Sequence, residues 1–282
     1  MLYKADTHLH TSRSDGEADV FTMGREAFER GFVLLGFSDH AYTEHEDGSC
    51  GFGIRGEELD AYINDVYTLR DMYPGRMNVL CGLEMENISG FDFIDEFQDS
   101  QLDYLIGSTH NMIKDGTVFA VDYSREAFLD AAEKLYGGDC YALVRDYYEL
   151  ESRVVENTRC DIIGHVDLVT KFNEGNRLFD ETSPAYRNAA LSCIDVLAEA
   201  GIPFEINTGA ISRGYRTEPY PSRWLLEELH RRGARITLNS DAHDPYFIGY
   251  RFDECLKLAW DCGFRKISAI TPDGEREFDI SQ

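Results

Sequence analysis

The chain opens on Leu2-Tyr3-Lys4-Ala5-Asp6-Thr7-His8-Leu9-His10. This short, strand-like run ends in a His-x-His pair and is followed by no glycine-rich turn. Beyond it, short apolar runs alternate with longer amphipathic stretches. Strands are predicted at 2–8, 33–39, 78–84, 104–109, 161–165, 203–207 and 234–240. Helices are predicted at 19–30, 57–72, 91–99, 184–200, 222–232 and 252–262, and 125–158 reads as two helices broken at Gly137-Gly138-Asp139. Gly31, Gly201, Gly233 and Gly263 follow the last helical turns, where a left-handed residue is wanted. Strict strand–helix alternation implies an α/β protein with a parallel sheet, and no linker divides it, so residues 1–282 are expected to form a single domain. The choice left is between an open sheet and a closed barrel. A doubly wound open sheet usually carries a Gly-rich phosphate loop after its first strand. Here that place reads His8-Leu9-His10.

Composition narrows the function. Acidic residues number 52 against 27 basic, for a formal net charge of −25. Phosphate backbones and anionic lipid both require clustered Lys and Arg, so no nucleic-acid partner and no membrane partner is expected. A small phosphorylated substrate stays open, because a metal ion reverses the sign of a local field. No apolar run approaches the ~20 residues of a membrane span, and the start lacks the apolar core of a secretory signal. The seven cysteines are scattered and form no CxxC pair. They fit reduced thiols, and a cytoplasmic location is expected.

Six of the eight histidines fall at or just past the C-terminal end of a predicted strand: His8, His10, His40, His110, His165 and His243. A parallel barrel gathers those ends on one face, where enzyme sites sit. Residues two apart in a strand share a side, which pairs Asp6/His8/His10, Glu84/Glu86, His165/Asp167, Glu205/Asn207 and Asp241/His243. Ionisable groups inside a barrel are costly unless paired or bound to metal. Few Lys or Arg lie in these segments to pair with them. Imidazoles and carboxylates without cysteine suit Zn, Mn or Fe.

These residues carry a family resemblance. His8-x-His10 with Ser14-Asp15-Gly16, then Ser38-Asp39-His40, Gly82-x-Glu84, Ser108-x-His110, Gly164-His165-x-Asp167 and Ser240-Asp241-Ala242-His243 resemble the PHP (polymerase and histidinol phosphatase) superfamily, in the family's order. Glu205-Ile206-Asn207-Thr208, Tyr220-Pro221-Ser222 and Asp244-Pro245 are similar to its stand-alone histidinol-phosphate phosphatases. The resemblance implies a distorted seven-stranded (β/α) barrel and two to three divalent ions. His8, His10, Glu84 and Asp241 would hold the first ion. Glu84 would bridge to a second, held by His110 and His165. Asp15, His40 and His243 would hold the third; some relatives carry histidine near position 15.

The implied activity is a phosphomonoesterase acting on L-histidinol phosphate, with hydroxide shared between the first two ions as the nucleophile. Lys171, Arg213 and Arg216, on the loops after strands five and six, are the candidates for gripping phosphate oxygens. Glu86, Glu205 and Asn207 are candidates for the substrate's ammonium and imidazole. Asp15, Asp39 and Asp167 are possible proton donors to the leaving alkoxide, with Asp39 and Asp167 favoured instead as partners that orient metal-binding imidazoles. The alternatives are a phosphoesterase of the same family acting on nucleotides or another small phosphorylated metabolite, a metal-dependent amidohydrolase-like barrel, and a non-catalytic barrel. The amidohydrolase chemistry commonly uses a carbamylated lysine, and these strand ends offer no lysine.

Overall fold

Amphipathic helices that each cover one side of a buried strand produce the architecture, seen in a computed structural model that describes residues 3–43, 53–88 and 101–280. The expected helix at 91–99, His45 and residues 48–52 lie outside the described residues. In chain order the elements are β1 (Ala5–Asp6), α1 (Val20–Glu29), β2 (Leu34–Phe37), α2 (Gly56–Met72), β3 (Asn78–Glu86), β4 (Tyr104–Ser108), β5 (Asn111–Lys114), β6 (Thr117–Ala120), α3 (Arg125–Tyr136), α4 (Cys140–Glu151), α5 (Val154–Thr158), β7 (Ile162–Ile163), α6 (Pro184–Glu199), β8 (Phe204–Asn207), α7 (Gly209–Ser212), α8 (Arg223–Arg231), β9 (Ile236–Asn239), α9 (Phe252–Asp261), β10 (Lys266–Thr271) and β11 (Gly274–Asp279).

Local chemistry sets the helix ends. Asp19 and Ser124 accept hydrogen bonds from Thr22 N and Ala127 N, which caps α1 and α3. Gly137 ends α3 in the left-handed region at φ 61°. A second break at Ser152-Arg153 makes three helices of 125–158 where two were expected.

Seven strands form one sheet in the order β1-β2-β3-β4-β7-β8-β9, every neighbouring pair parallel. The ring is nearly closed. Past the strand ends, Leu9 bridges Ala242, with His10 N donating to Ala242 O at 3.0 Å. This is the distorted seven-stranded TIM-like barrel, and its parallel strands all send their C-terminal ends to one face. Its interior is packed. The Tyr104 hydroxyl lies 2.7 Å from Thr7 O and 3.0 Å from Phe37 O. A Cβ at Gly36 or Gly82 would come within 2.5 Å of that tyrosine side chain.

Two antiparallel hairpins, β5–β6 and β10–β11, were not expected. The first turns at Asp115-Gly116, both at positive φ, the backbone of a tight primed turn. It stands above the site-bearing face, anchored by Lys114 on Asp146 at 2.8 Å.

Candidate metal centre

Each residue expected at a strand end reaches the same face. His8 and His10 follow β1, His40 follows β2, Glu84 and Glu86 lie in β3, His110 follows β4, His165 follows β7, and Asp241 and His243 follow β9. Asp241 occupies the left-handed region at φ 50°, and its Oδ1 faces His8 and His10.

Glu84 is the centre of the cluster. Its Oε1 lies 3.5 Å from His8 Nε2, 3.6 Å from His110 Nε2 and 3.2 Å from His165 Nε2. Its Oε2 lies 3.4 Å from His10 Nε2 and 3.1 Å from His40 Nδ1. Asp241 Oδ1 lies 3.4 Å from His10 Nε2 and 3.9 Å from His8 Nε2. At the outer end, Asp15 Oδ2 lies 3.2 Å from His243 Nε2 and 3.6 Å from His40 Nε2, and His10 Nδ1 is 3.5 Å from Asp15 Oδ1. Three groups could therefore each hold an ion: His8/His10/Glu84, Glu84/His110/His165 and His10/Asp15/His40/His243.

The donor set fits divalent metal. Both oxygens of Glu84, His8 Nε2 and both nitrogens of His10 are buried and make no hydrogen bond. Such groups are expensive to bury without a partner. Ligands at 2.0–2.1 Å around a tetrahedral ion sit ~3.3 Å apart, and the spacings around Glu84 scatter about that value. The carboxylates are held ionised. Burial opposes this, but the surrounding imidazoles keep Glu84 well below the usual carboxyl range, and Arg213 with His8 does the same for Asp241. Burial also opposes ionisation of Asp15, whose bonds to His243 and His40 nevertheless hold it low.

A layer of hydrogen bonds orients the imidazoles. His8 Nδ1 is 2.6 Å from Glu205 Oε1, and His110 Nδ1 is 3.0 Å from Glu86 Oε2. Glu86 Oε1 also accepts from the backbone of His110 and Asn111. Pairing Nδ1 with a carboxylate leaves Nε2 free to ligate.

The cluster forms the floor of a cavity of about 690 Å³, whose walls include Glu86, Asp122, Tyr123, Lys171, Arg213 and Tyr215. The structure separates the remaining candidates. Lys171 faces the cavity, 3.0 Å from Asp122 Oδ2. Arg213 also faces it and reaches Asp241 and His243. Arg216 does not belong to the wall. It is buried, donating to Thr170 O at 2.7 Å and Glu181 Oε1 at 2.9 Å, so its charge is already matched within the fold. Glu205 and Asn207 are likewise buried beneath the ligands.

Asp39 and Asp167 lie outside the cavity wall, and neither side chain is hydrogen-bonded to an imidazole among the described residues. Asp39 accepts from Thr11 N, Thr11 Oγ1 and Ser14 Oγ, and Asp167 from Ser222 N. Burial pushes each carboxyl up to about 6. Sequence reasoning missed Asp122 and Tyr123, which the β5–β6 hairpin delivers; the Asp115-Gly116 turn was the available signal.

A site of this kind on a seven-stranded barrel defines a class of metal-dependent hydrolases, and comparison with known proteins identifies the family. Residues 6–209 match the PHP domain family, and the chain belongs to it. It is 30% identical over 274 residues to a Deinococcus radiodurans protein named "Probable histidinol-phosphatase", covering 93% of this chain and 95% of the relative. It is 26% identical over 275 residues to the Bacillus subtilis histidinol-phosphatase, covering 91% and 99%. A crystal structure of the Lactococcus lactis histidinol phosphate phosphatase, complexed with Zn, L-histidinol and phosphate, superposes with TM-score 0.74 at 23% identity over 97% of this chain and 98% of that one. A Listeria monocytogenes chain gives TM-score 0.77 at 19% identity, over 89% and 99%. Among the described residues no helix is long and apolar enough to cross a membrane.

Proposed function

We propose that the chain hydrolyses L-histidinol phosphate to L-histidinol and inorganic phosphate. The observation that carries this reading is a buried carboxylate–imidazole cluster opening into one cavity with Lys171 and Arg213. End-to-end relatedness to histidinol-phosphatases supports the choice of substrate. Two to three ions of Zn, Mn or Fe would be held by His8, His10, Glu84 and Asp241, by Glu84, His110 and His165, and by Asp15, His40 and His243. Bound divalent ions supply Lewis acidity, offsetting charge on phosphate oxygens and lowering the pKa of a water.

The chain's own groups do the rest. Lys171 presents its ammonium to a phosphate oxygen, with Asp122 as its partner until substrate arrives. Arg213 holds Asp241 and lines the cavity, its Nε buried without a hydrogen-bond partner. Glu86 and Asp122 supply negative charge for the substrate's ammonium. Of the three acid candidates only Asp15 lines the cavity, and because its bonds to His243 and His40 hold it ionised it has no proton to give a leaving oxygen.

The test is phosphate release from L-histidinol phosphate compared with a panel of nucleoside monophosphates. The expected kcat/KM ratio favours L-histidinol phosphate by at least about 100-fold, since a site built to bond an amine leaves unpaired charge when it is missing. Faster turnover of a nucleotide would replace the substrate and retain the chemistry.

A further inference from the structure

Glu205 sits within β8 beneath the candidate metal centre, fully buried. Its four neighbours are all donors. Oε1 accepts from His8 Nδ1 at 2.6 Å and Asn239 Nδ2 at 2.9 Å. Oε2 accepts from Asn207 Nδ2 at 2.9 Å and from the His165 backbone N–H at 3.2 Å. A carboxylate has about four lone-pair sites, so none remains for a substrate ammonium. Asn207 Nδ2 also lies 3.3 Å from Asp241 Oδ2. One carboxylate thus touches, directly or through one amide, the ligand sets of two adjacent ion positions: His8 and Asp241 on one side, His165 on the other.

We propose that Glu205 is a positioning residue that ties His8, Asp241 and His165 into one unit, so that the first two ion positions fill together. The inference rests on the metal-centre reading above. With Nδ1 donating to Glu205, His8 keeps a bare Nε2 toward Glu84 and Asp241. Glutamine at 205 breaks this however it is turned. Its amide NH2 must face either His8 and Asn239 or Asn207 and His165, and each pair offers only donors. If it faces His8, the ring relaxes by moving its proton to Nε2, which removes a ligand. Asn239 adds rigidity, since its Oδ1 accepts from Thr7 N at 2.7 Å and so ties β9 to β1 across the barrel seam.

The experiment is Zn²⁺ titration of the metal-free full chain against a chromophoric chelator, for the wild type and for Glu205→Gln, with thermal unfolding of both metal-free forms. The expected result is that the two tightest equivalents weaken together by about 10- to 100-fold. In saturating Zn²⁺, kcat recovers with KM for L-histidinol phosphate unchanged. Unchanged Zn²⁺ affinities, weakening of one equivalent only, or a raised KM in saturating Zn²⁺ would each overturn the proposal, the last by returning Glu205 to the substrate. Should Glu205→Gln not fold, Asn207→Ser removes the limb to Asp241, together with the acceptor that Asn207 Oδ1 offers Gly209 N at 2.8 Å. The first equivalent must then weaken, and no change overturns the proposal. Because the titration contains no phosphate ester, its outcome is independent of whether L-histidinol phosphate is the substrate.

Discussion

Arg213 closes a fork on Asp241: Nη2 lies 2.8 Å from Oδ2 and Nη1 lies 3.2 Å from the Asp241 carbonyl oxygen. The same Nη1 is 3.0 Å from His243 Nδ1. The grip falls on a residue whose backbone is strained at φ 50°, and it leaves Oδ1 facing His8 and His10. Space for the fork comes from Gly209.

A Cβ at Gly209 would stand 2.4 Å from Arg213 Nη2 and 2.6 Å from Asp241 Oδ2. The flexible guanidinium yields more readily than the barrel, so Gly209→Ala should fold and lose the fork. The expected loss in kcat is about 10- to 100-fold, the usual cost of disturbing a ligand's partner. Wild-type kcat in Gly209→Ala, measured beside Arg213→Lys, would show the fork to be dispensable.

Lys171 should act on substrate alone. It pairs with Asp122 and lies 5.2 Å from the Tyr215 ring centre, and among the described residues no hydrogen bond or ion pair joins it to the histidine–carboxylate cluster. Lys171→Met is expected to raise KM about tenfold, or ~1.4 kcal/mol, with Zn content unchanged by metal analysis. A fall in Zn content with KM intact would reassign the lysine to the metal centre.

Arg216, three residues beyond Arg213, should behave oppositely. Its guanidinium is buried against Glu181, and removing one partner of such a pair costs about 3 kcal/mol or more. For Arg216→Met, Tm should fall by roughly 5–10 °C while KM stays within about twofold. A large KM effect at unchanged Tm would place this arginine on the phosphate.

Glu151 gives a pH-dependent stability. It is buried, bonded to Thr109 Oγ1, and burial pushes its carboxyl well above the ordinary range. The folded protein therefore holds a proton that the unfolded chain releases above pH ~4.3, so this group's contribution falls as pH rises. Glu151→Gln keeps an acceptor for Thr109 and has no proton to lose. Its gain in Tm should be larger at pH 8 than at pH 5; equal gains would mean that Glu151 is not protonated in the fold.

The barrel and the ring of His, Glu and Asp at its strand ends were legible in the sequence because both follow from period. Strands of two to nine residues with His, Glu or Asp at their ends can be counted without knowing a single contact. Roles in the layer behind the ligands were not legible. Glu84 and Glu86 share a strand side, yet one lies at the centre of the imidazoles and the other turns to the His110 backbone. Arg213 and Arg216 share a loop, and the short α7 turn decides which faces the cavity. Glu205 and Asn207 pointed inward as expected, but depth places them under the metal centre rather than in it.

The most direct measurement is phosphate release from L-histidinol phosphate by protein stripped of metal and then reconstituted. The account predicts no activity in the metal-free form, with turnover restored by Zn²⁺, Mn²⁺ or Fe²⁺ at two to three equivalents. Full activity in the metal-free protein, or none after reconstitution with all three ions, would contradict it.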